Sequence, residues 1–427
     1  MTNKRYLTGI DWLIHAFDHM NQKKIGKGNV FHIVFEVNGL VNVDLFEQEL
    51  NQFISSHFIF KGRAARAFNL APYWKIDKDK EVSPVSISSR RVQEASKFIP
   101  FCIEISQKYD QSSEGYLYCD VIFHDEKSYV FFTFSHKLFD GLGAELFVDA
   151  FERYREGKQS YVFPDRRCQP SHLNRWGEKF KAGRHVNRKL LWLSPGRKVR
   201  ALPIKKGKQE YQYKVIQFNE NQTKKIIERA DKEAGYLLIM PFLLSQAIYA
   251  FNQLFNRKGI RNDNMVVPVT VNARKKGEER EMFFNHLSFM FFKFTDKEAE
   301  NPMESIKNQL YEQTKSRFSE KFSSNAMLMR IAPIPILSNL LGIYSRGKMA
   351  SFSFSYLGET VFSGRKLLGK ETANLFHLPV PSVPPGLGVF VNNYNGKFNL
   401  TISYLNTLLN DEDIEFLVNA LREMPNG

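Results

Sequence analysis

The run His136-Lys137-Leu138-Phe139-Asp140-Gly141 is the short stretch of this chain best equipped to move a proton. An imidazole titrates near neutral pH, so it can take a proton from an attacking hydroxyl or amine and give it to a leaving group. Asp140 is a residue type that starts helices, and Gly141 permits a tight backbone beside it. A second histidine pair, His15 and His19, lies four apart in a helical stretch, a spacing that could present two metal ligands. No convincing partner ligands accompany them, so they read as a structural pair or a wall of a cleft, and no metal is expected. Cys102, Cys119 and Cys168 are odd in number, far apart and in no CxxC pair. That argues against a disulfide framework or structural zinc site and fits a reducing cytosol.

Two elements must hold His136. Before it, Tyr129 to Phe134 is a nearly unbroken aromatic and β-branched run, the pattern of a strand covered on both faces. After it, Leu142, Leu146, Phe147, Ala150, Phe151 and Tyr154 form one stripe of an amphipathic helix. The imidazole is thus expected where a rigid strand stops and a short polar turn begins.

With 427 residues the chain is too long for one ordinary core, and two domains are expected. In the first half, a helix is predicted over Tyr6 to Met20, a strand over Asn29 to Val37 and a helix over Asp44 to Phe53. Phe58 to Arg66 returns towards a strand, polar proline-containing sequence runs from Pro72 to Pro84, and Gln93 to Ile105 suggests a short helix. Gly115 to Phe123 and Tyr129 to Phe134 form a hairpin. In the second half, strands are predicted at Tyr211 to Phe218, Met265 to Val271, Leu287 to Phe294 and Ser351 to Leu357. A hairpin pairs Gly388 to Asn392 with Lys397 to Tyr404 around Asn395-Gly396. Helices are predicted at Asn221 to Ala234, Ile239 to Phe255, Pro302 to Phe318, Ser338 to Tyr344 and Asp411 to Met424. Alternating strands and helices in both halves predict α/β (α+β) architecture with mixed sheets flanked by helices.

The net charge of +15 is concentrated between Arg155 and Lys208, where sixteen lysines and arginines face only Glu156, Asp165 and Glu178. Prolines punctuate this segment, which is therefore the expected linker, with an amphipathic basic helix over Asn174 to Trp192. The segment reads either as a solvated inter-domain crossover or as a docking site, through 174–208, for an anionic membrane or an acidic carrier protein. No nucleic-acid-binding module accompanies the charge, which argues against nucleic acid as partner. The N-terminus lacks the pattern of a secretory signal, and no apolar stretch is long enough to cross a bilayer. A cytoplasmic protein is expected, at most peripheral at the inner membrane face. The 38 phenylalanines suffice to line an apolar channel as well as two cores, although plain aromatic packing accounts for them equally.

His136 to Gly141 resembles the HxxxDG motif of the CoA-dependent acyltransferase superfamily, which includes chloramphenicol acetyltransferases, plant BAHD acyltransferases, condensation domains and wax ester synthases. Other stretches resemble its elements in the right order. Asn29 to Arg63 resembles the first strand and helix. Val267 to Arg274 resembles the second-half strand that ends in arginine. Asn285-His286-Leu287-Ser288 resembles the following "GN" element, with Phe284 where glycine is usual. Ser355-Tyr356-Leu357-Gly358 resembles a Ser-Asn-x-Gly segment, with tyrosine for asparagine.

The resemblance implies two chloramphenicol-acetyltransferase-like lobes with a tunnel at their interface. These would be an N-terminal lobe (1–160) carrying the motif, a basic crossover (161–210) and a C-terminal lobe (211–427). It implies His136 as general base, Asp140 and Arg274 as a structural pair, and Gly141, Asn285 and Ser355 as contacts to an oxyanion or the thioester arm. No permanently bound cofactor is implied. Acyl-CoA or an acyl-carrier thioester would be the co-substrate, and a small-molecule or lipid-like hydroxyl or amine the acceptor. Ser135 stands where condensation domains and wax ester synthases carry a first histidine, and the second is the one assigned catalysis. The alternative is a non-catalytic condensation-like protein that binds a carrier protein or membrane surface.

Overall fold

The computed structural model describes residues 4–77, 79–93, 101, 103–105, 115–158, 176–193, 199–205, 207–260, 264–275, 280–345, 350–362 and 364–426. The helix expected over Gln93 to Ile105 lies mostly outside them, as does most of the linker between Arg155 and Trp176.

The strand before the histidine sets the first layer. In Lys127–Ser135, side chains alternate between faces. Val130, Phe132 and Phe134 join a core built with Phe46, Phe53, Phe147 and Phe151 from the helices Val43–Ser55 and Gly141–Arg155. Phe131 points the other way, with Val34 and Ile122, into a core shared with the second layer. Both faces are buried from Val130 onwards, which is why apolar side chains occupy both there.

The first six-stranded sheet runs Lys366–Leu367, Lys370–Leu378, Val30–Asn38, Lys127–Ser135, Leu117–His124, Ile87–Arg91. The second runs Leu287–Phe294, Met265–Asn272, Ser353–Glu359, Leu387–Tyr394, Lys397–Leu405, Tyr211–Gln217. Each mixes parallel with antiparallel pairing. Helices Glu220–Glu233, Ile239–Arg257 and Asp411–Arg422 bury Ile226, Phe242, Phe251 and Leu417 against the second sheet. Its hairpin turns at Asn395-Gly396, where both residues have positive φ, 49° and 73°, the backbone a two-residue turn requires.

Three differences from the sequence reading bear on how the layers join. Tyr6 belongs to a strand, Lys4–Tyr6, and the helix is Gly9–Ile25. It begins at a Thr8/Asp11 capping box. The proline-containing stretch supplies the strand Pro72–Ile76, central in a three-stranded sheet with Lys4–Tyr6 and Gly62–Arg66 and anchored by fully buried Trp74. The third difference is a crossover. Lys370–Leu378, from the C-terminal half, leaves its own lobe and pairs antiparallel with Val30–Asn38.

Polar side chains fix that crossing strand to the second sheet. Asn374 and Asn399 exchange amide hydrogen bonds of 2.9 Å. Asn392 and Asn399 both donate to the Leu375 carbonyl, and Thr401 donates to that of His377. All are buried, so each amide left unpaired would cost its full desolvation penalty. Asn399→Ala is therefore expected to destabilise the protein by about 1–3 kcal/mol. Urea unfolding followed by tryptophan fluorescence measures this.

Candidate active site

The site assembles where the two layers meet. Asp140 caps Gly141–Arg155, its Oδ1 accepting from the Gly143 N–H at 2.7 Å. The same carboxylate takes a forked pair from Arg274, Nη2 to Oδ1 at 2.8 Å and Nη1 to Oδ2 at 3.0 Å, and Oδ2 also accepts from the His286 N–H at 2.8 Å. Arg274 follows the strand Met265–Asn272, and its Nε and Nη2 also donate to the Glu281 carbonyl. Asp140 and Arg274 side chains are 5 % and 3 % exposed, so the pair is buried and fully hydrogen-bonded. Burial alone would raise the Asp140 carboxyl. The Arg274 charge and hydrogen bonds, with His286 and the Gly143 N–H, overcome it and hold the group below the ordinary aspartate value.

His136 is half-buried at the end of Lys127–Ser135. Its ring lies 4.4 Å from that of Phe31, and its Nδ1 bonds the Phe139 carbonyl at 3.0 Å. A carbonyl only accepts, so Nδ1 carries the proton and a neutral ring has Nε2 as its basic nitrogen. Desolvation by burial pulls the His136 pKa down to about 4, against the opposing pull of Asp140, the Phe139 carbonyl, Asn285 and Asp18. The ring is therefore unprotonated at neutral pH.

The segment Phe283–His286 is zipped along this turn. Phe284 N–H donates to the Leu138 carbonyl at 2.6 Å, and Asn285 Nδ2 donates to the His136 carbonyl at 2.8 Å. Phe284 adopts φ 68°, the left-handed region that glycine occupies without cost. Phe284 stands where the resemblance puts a glycine, and its backbone is one that glycine adopts without strain. The Phe284 ring packs on Trp74 at 5.5 Å and lies under the Arg5 guanidinium at 4.3 Å.

The structure brings His136, Asp140, Gly141, Arg274 and Asn285 into one cluster. Gly141 opens the helix, and a methyl there would meet only the tip of Leu357. Both amide hydrogens of Asn285 are directed into the protein, to His136 and to Asp11 Oδ1. Ser355 is buried on the strand Ser353–Glu359, and its hydroxyl has no hydrogen bond among the described residues. Ser135 is buried too, its N–H on the Tyr116 carbonyl, and acts as part of the turn. His15 is buried while His19 is half-buried, and no group of side chains suited to a metal occurs among the described residues.

The sequence reading missed Gly143 and Glu281, and named His286 and Phe284 without giving them a role in the site. Gly143 had the clearest signal, since it lies three residues after a helix-capping aspartate.

No protein-family model matches the sequence, and no curated protein matches it. Solved structures do match. A trichothecene 15-O-acetyltransferase from Fusarium sporotrichioides superposes with a TM-score of 0.69 at 12 % identity, over 99 % of this chain and 94 % of that one. The fold is therefore one that this acetyltransferase shares with condensation-domain structures. The first condensation domain of the calcium-dependent antibiotic synthetase gives a TM-score of 0.67 at 11 % identity, over 99 % and 96 % of the two chains. The X-domain from teicoplanin biosynthesis gives 0.61 at 14 %, over 100 % and 96 %. Each match covers 99–100 % of this chain.

Two outcomes follow from the site. A methyl on Gly143 would overlap the Met282 carbonyl oxygen, so Gly143→Ala is expected to cost about 1–3 kcal/mol and Gly141→Ala much less. Thermal unfolding of the two variants compares them. His15 and His32 are buried and drawn down to about 4 and about 3 by desolvation. Their unfolded forms protonate first, so stability is full above pH 6.5 and falls as pH drops below it. Each contributes a slope of about 1.4 kcal/mol per pH unit. Urea titrations between pH 7.5 and 5 read the slope.

Proposed function

We propose that the chain is an acyltransferase that moves an acyl group from a CoA or carrier-protein thioester to a hydroxyl or amine, with His136 as general base. The observation that carries this reading is the fixed tautomer of a neutral His136. With Nδ1 committed to the Phe139 carbonyl, Nε2 accepts the proton of the acceptor as its oxygen or nitrogen attacks the thioester carbon. The tetrahedral intermediate collapses as the carbon–sulfur bond breaks, and Nε2–H protonates the departing thiolate. The products are an ester or amide and a free thiol, with no covalent enzyme intermediate.

Negative charge develops on the carbonyl oxygen during the attack. Gly141 contributes the first N–H of a helix, at the positive end of its dipole, and is the better candidate for that oxygen. Ser355 is the second. Asn285 acts as scaffold, because its amide hydrogens already hold His136 and Asp11. Asp140 keeps the turn in place through Arg274 and takes no proton.

The basic helix Trp176–Leu193 supplies a surface for an anionic partner. Val186 buries itself near Phe318 and Phe322, leaving Phe180 and Trp192 49 % and 44 % exposed. Lys189 and Lys293 lie 3.8 and 4.9 Å from the Trp192 ring. CoA phosphates, an acidic carrier protein or anionic lipid would each suit it. Phe31 beside His136 favours an apolar or aromatic acceptor, with hydroxyl preferred over amine.

Release of free thiol from acyl-CoA and acyl-carrier donors, with a panel of alcohols and amines, tests the reading. His136→Ala is expected to lower turnover by about 10²–10⁴-fold in a protein that still folds. The free-protein acid limb of kcat/KM is expected near pH 4, since the base must be unprotonated and burial holds it there. No turnover with any donor would favour the non-catalytic alternative.

A further inference from the structure

We infer that the helix Gly9–Ile25 is a positioning element for His136, acting through the buried carboxylates of Asp11 and Asp18. This rests on the reading of His136 as the base and adds what holds it.

His136 is gripped at both of its peptide groups. Its N–H donates to the Asn29 carbonyl at 2.9 Å, and the Asn29 N–H in turn donates to Asp18 Oδ1 at 2.8 Å. Its carbonyl accepts from Asn285 Nδ2 at 2.8 Å. The Asn285 N–H and Nδ2 in turn donate to Asp11 Oδ1, at 2.9 and 3.4 Å. The adjacent Lys137 joins the same system, with Nζ 2.9 Å from Asp18 Oδ2. Two chains of hydrogen bonds, one on each side of His136, thus end on one helix.

The spacing along that helix makes the arrangement rigid. Asp11 and Asp18 are seven residues apart, close to two turns, so they share a face and stand roughly 10 Å apart along the axis. The helix fixes that separation, and with it the two points from which the His136 peptide hangs. His15 lies between them on the same face, buried, its Nε2 without a hydrogen-bond partner. Burial keeps it neutral, so it does not compete as a cation for either carboxylate.

Neither carboxylate is explained by local structure alone. The capping box with Thr8 occupies Asp11 Oδ2 and leaves Oδ1 to Asn285. Gln22, one turn on, binds Asp18 Oδ2 and leaves Oδ1 to Asn29. Burying a carboxylate is costly unless it is hydrogen-bonded, and here the compensating donors are the groups that hold His136. Both residues act through others and are positioning residues.

The test uses the full chain and two readouts. One is the rate at which diethyl pyrocarbonate carbethoxylates His136, followed by peptide mass without any substrate. The other is thiol release. Asp11→Ala and Asp18→Ala are expected to change the labelling rate at least about fivefold and to lower kcat about tenfold to a hundredfold, with KM nearly unchanged. Asp11→Asn and Asp18→Asn keep the oxygen that accepts from Asn285 or Asn29 but turn an NH2 towards the donors of Thr8, or of Gln22 and Lys137, so both readouts are expected to lie between those of the alanine variants and the wild type. Should the alanine variants not fold, Asp11→Glu and Asp18→Glu decide. They keep the charge but move the attachment point by one methylene, and the same losses are expected.

Folded variants whose His136 labels at the wild-type rate overturn the inference, as do asparagine variants as impaired as the alanines. If the wild type releases no thiol while labelling still responds to Asp11 and Asp18, the positioning role stands and the acyltransferase reading fails.

Discussion

The Asp140–Arg274 pair is the constraint on which the site depends. One carboxylate caps the helix after the histidine, receives an arginine from the other layer, and accepts the backbone N–H of His286. Helix start, strand end and the Phe283–His286 segment therefore share one anchoring point. A buried ion pair adds little net stability over an apolar pair, because desolvation offsets most of its Coulomb attraction. Its value here is geometric, since a planar guanidinium meets a carboxylate in one orientation. The relative placement of the two layers at the site follows from that fork.

Burial gives His136 one property and takes another. It keeps the imidazole unprotonated at neutral pH and also weakens it as a base. On the proposed reading proximity would offset the weakness, because a base held in line with the proton it removes gains several orders of magnitude over one that must diffuse there. The effort spent on holding this turn is consistent with that balance. It includes a phenylalanine in a left-handed conformation at Phe284, which costs on the order of 1–3 kcal/mol.

Much of this was legible in the sequence. The aromatic run before His136 gave the strand, the apolar stripe after Asp140 gave the helix, and the resemblance named Arg274, which lies 2.8 Å from Asp140. What escaped has physical reasons. Asp11 and Asp18 look in sequence like the solvated face of an amphipathic helix, and only the chain partners reveal them as buried. Gly141 and Gly143 look alike until the Met282 carbonyl is in place. Pro72 concealed a strand that tolerates proline at its first residue. Lys370–Leu378 carries Asn374 and His377, polar residues that are unremarkable in sequence. His377 Nε2 lies 2.8 Å from Glu145 of the helix that follows His136.

The crossing strand ties the two halves together in time as well as in space. Val34 is paired with Phe376, across most of the length of the chain, so the first sheet stays open during synthesis until its last partner emerges. Until then Val30–Asn38 presents an unpaired and strongly apolar edge. Cutting the protein between its lobes would leave a sheet lacking the strands Lys366–Leu367 and Lys370–Leu378 rather than two independent domains.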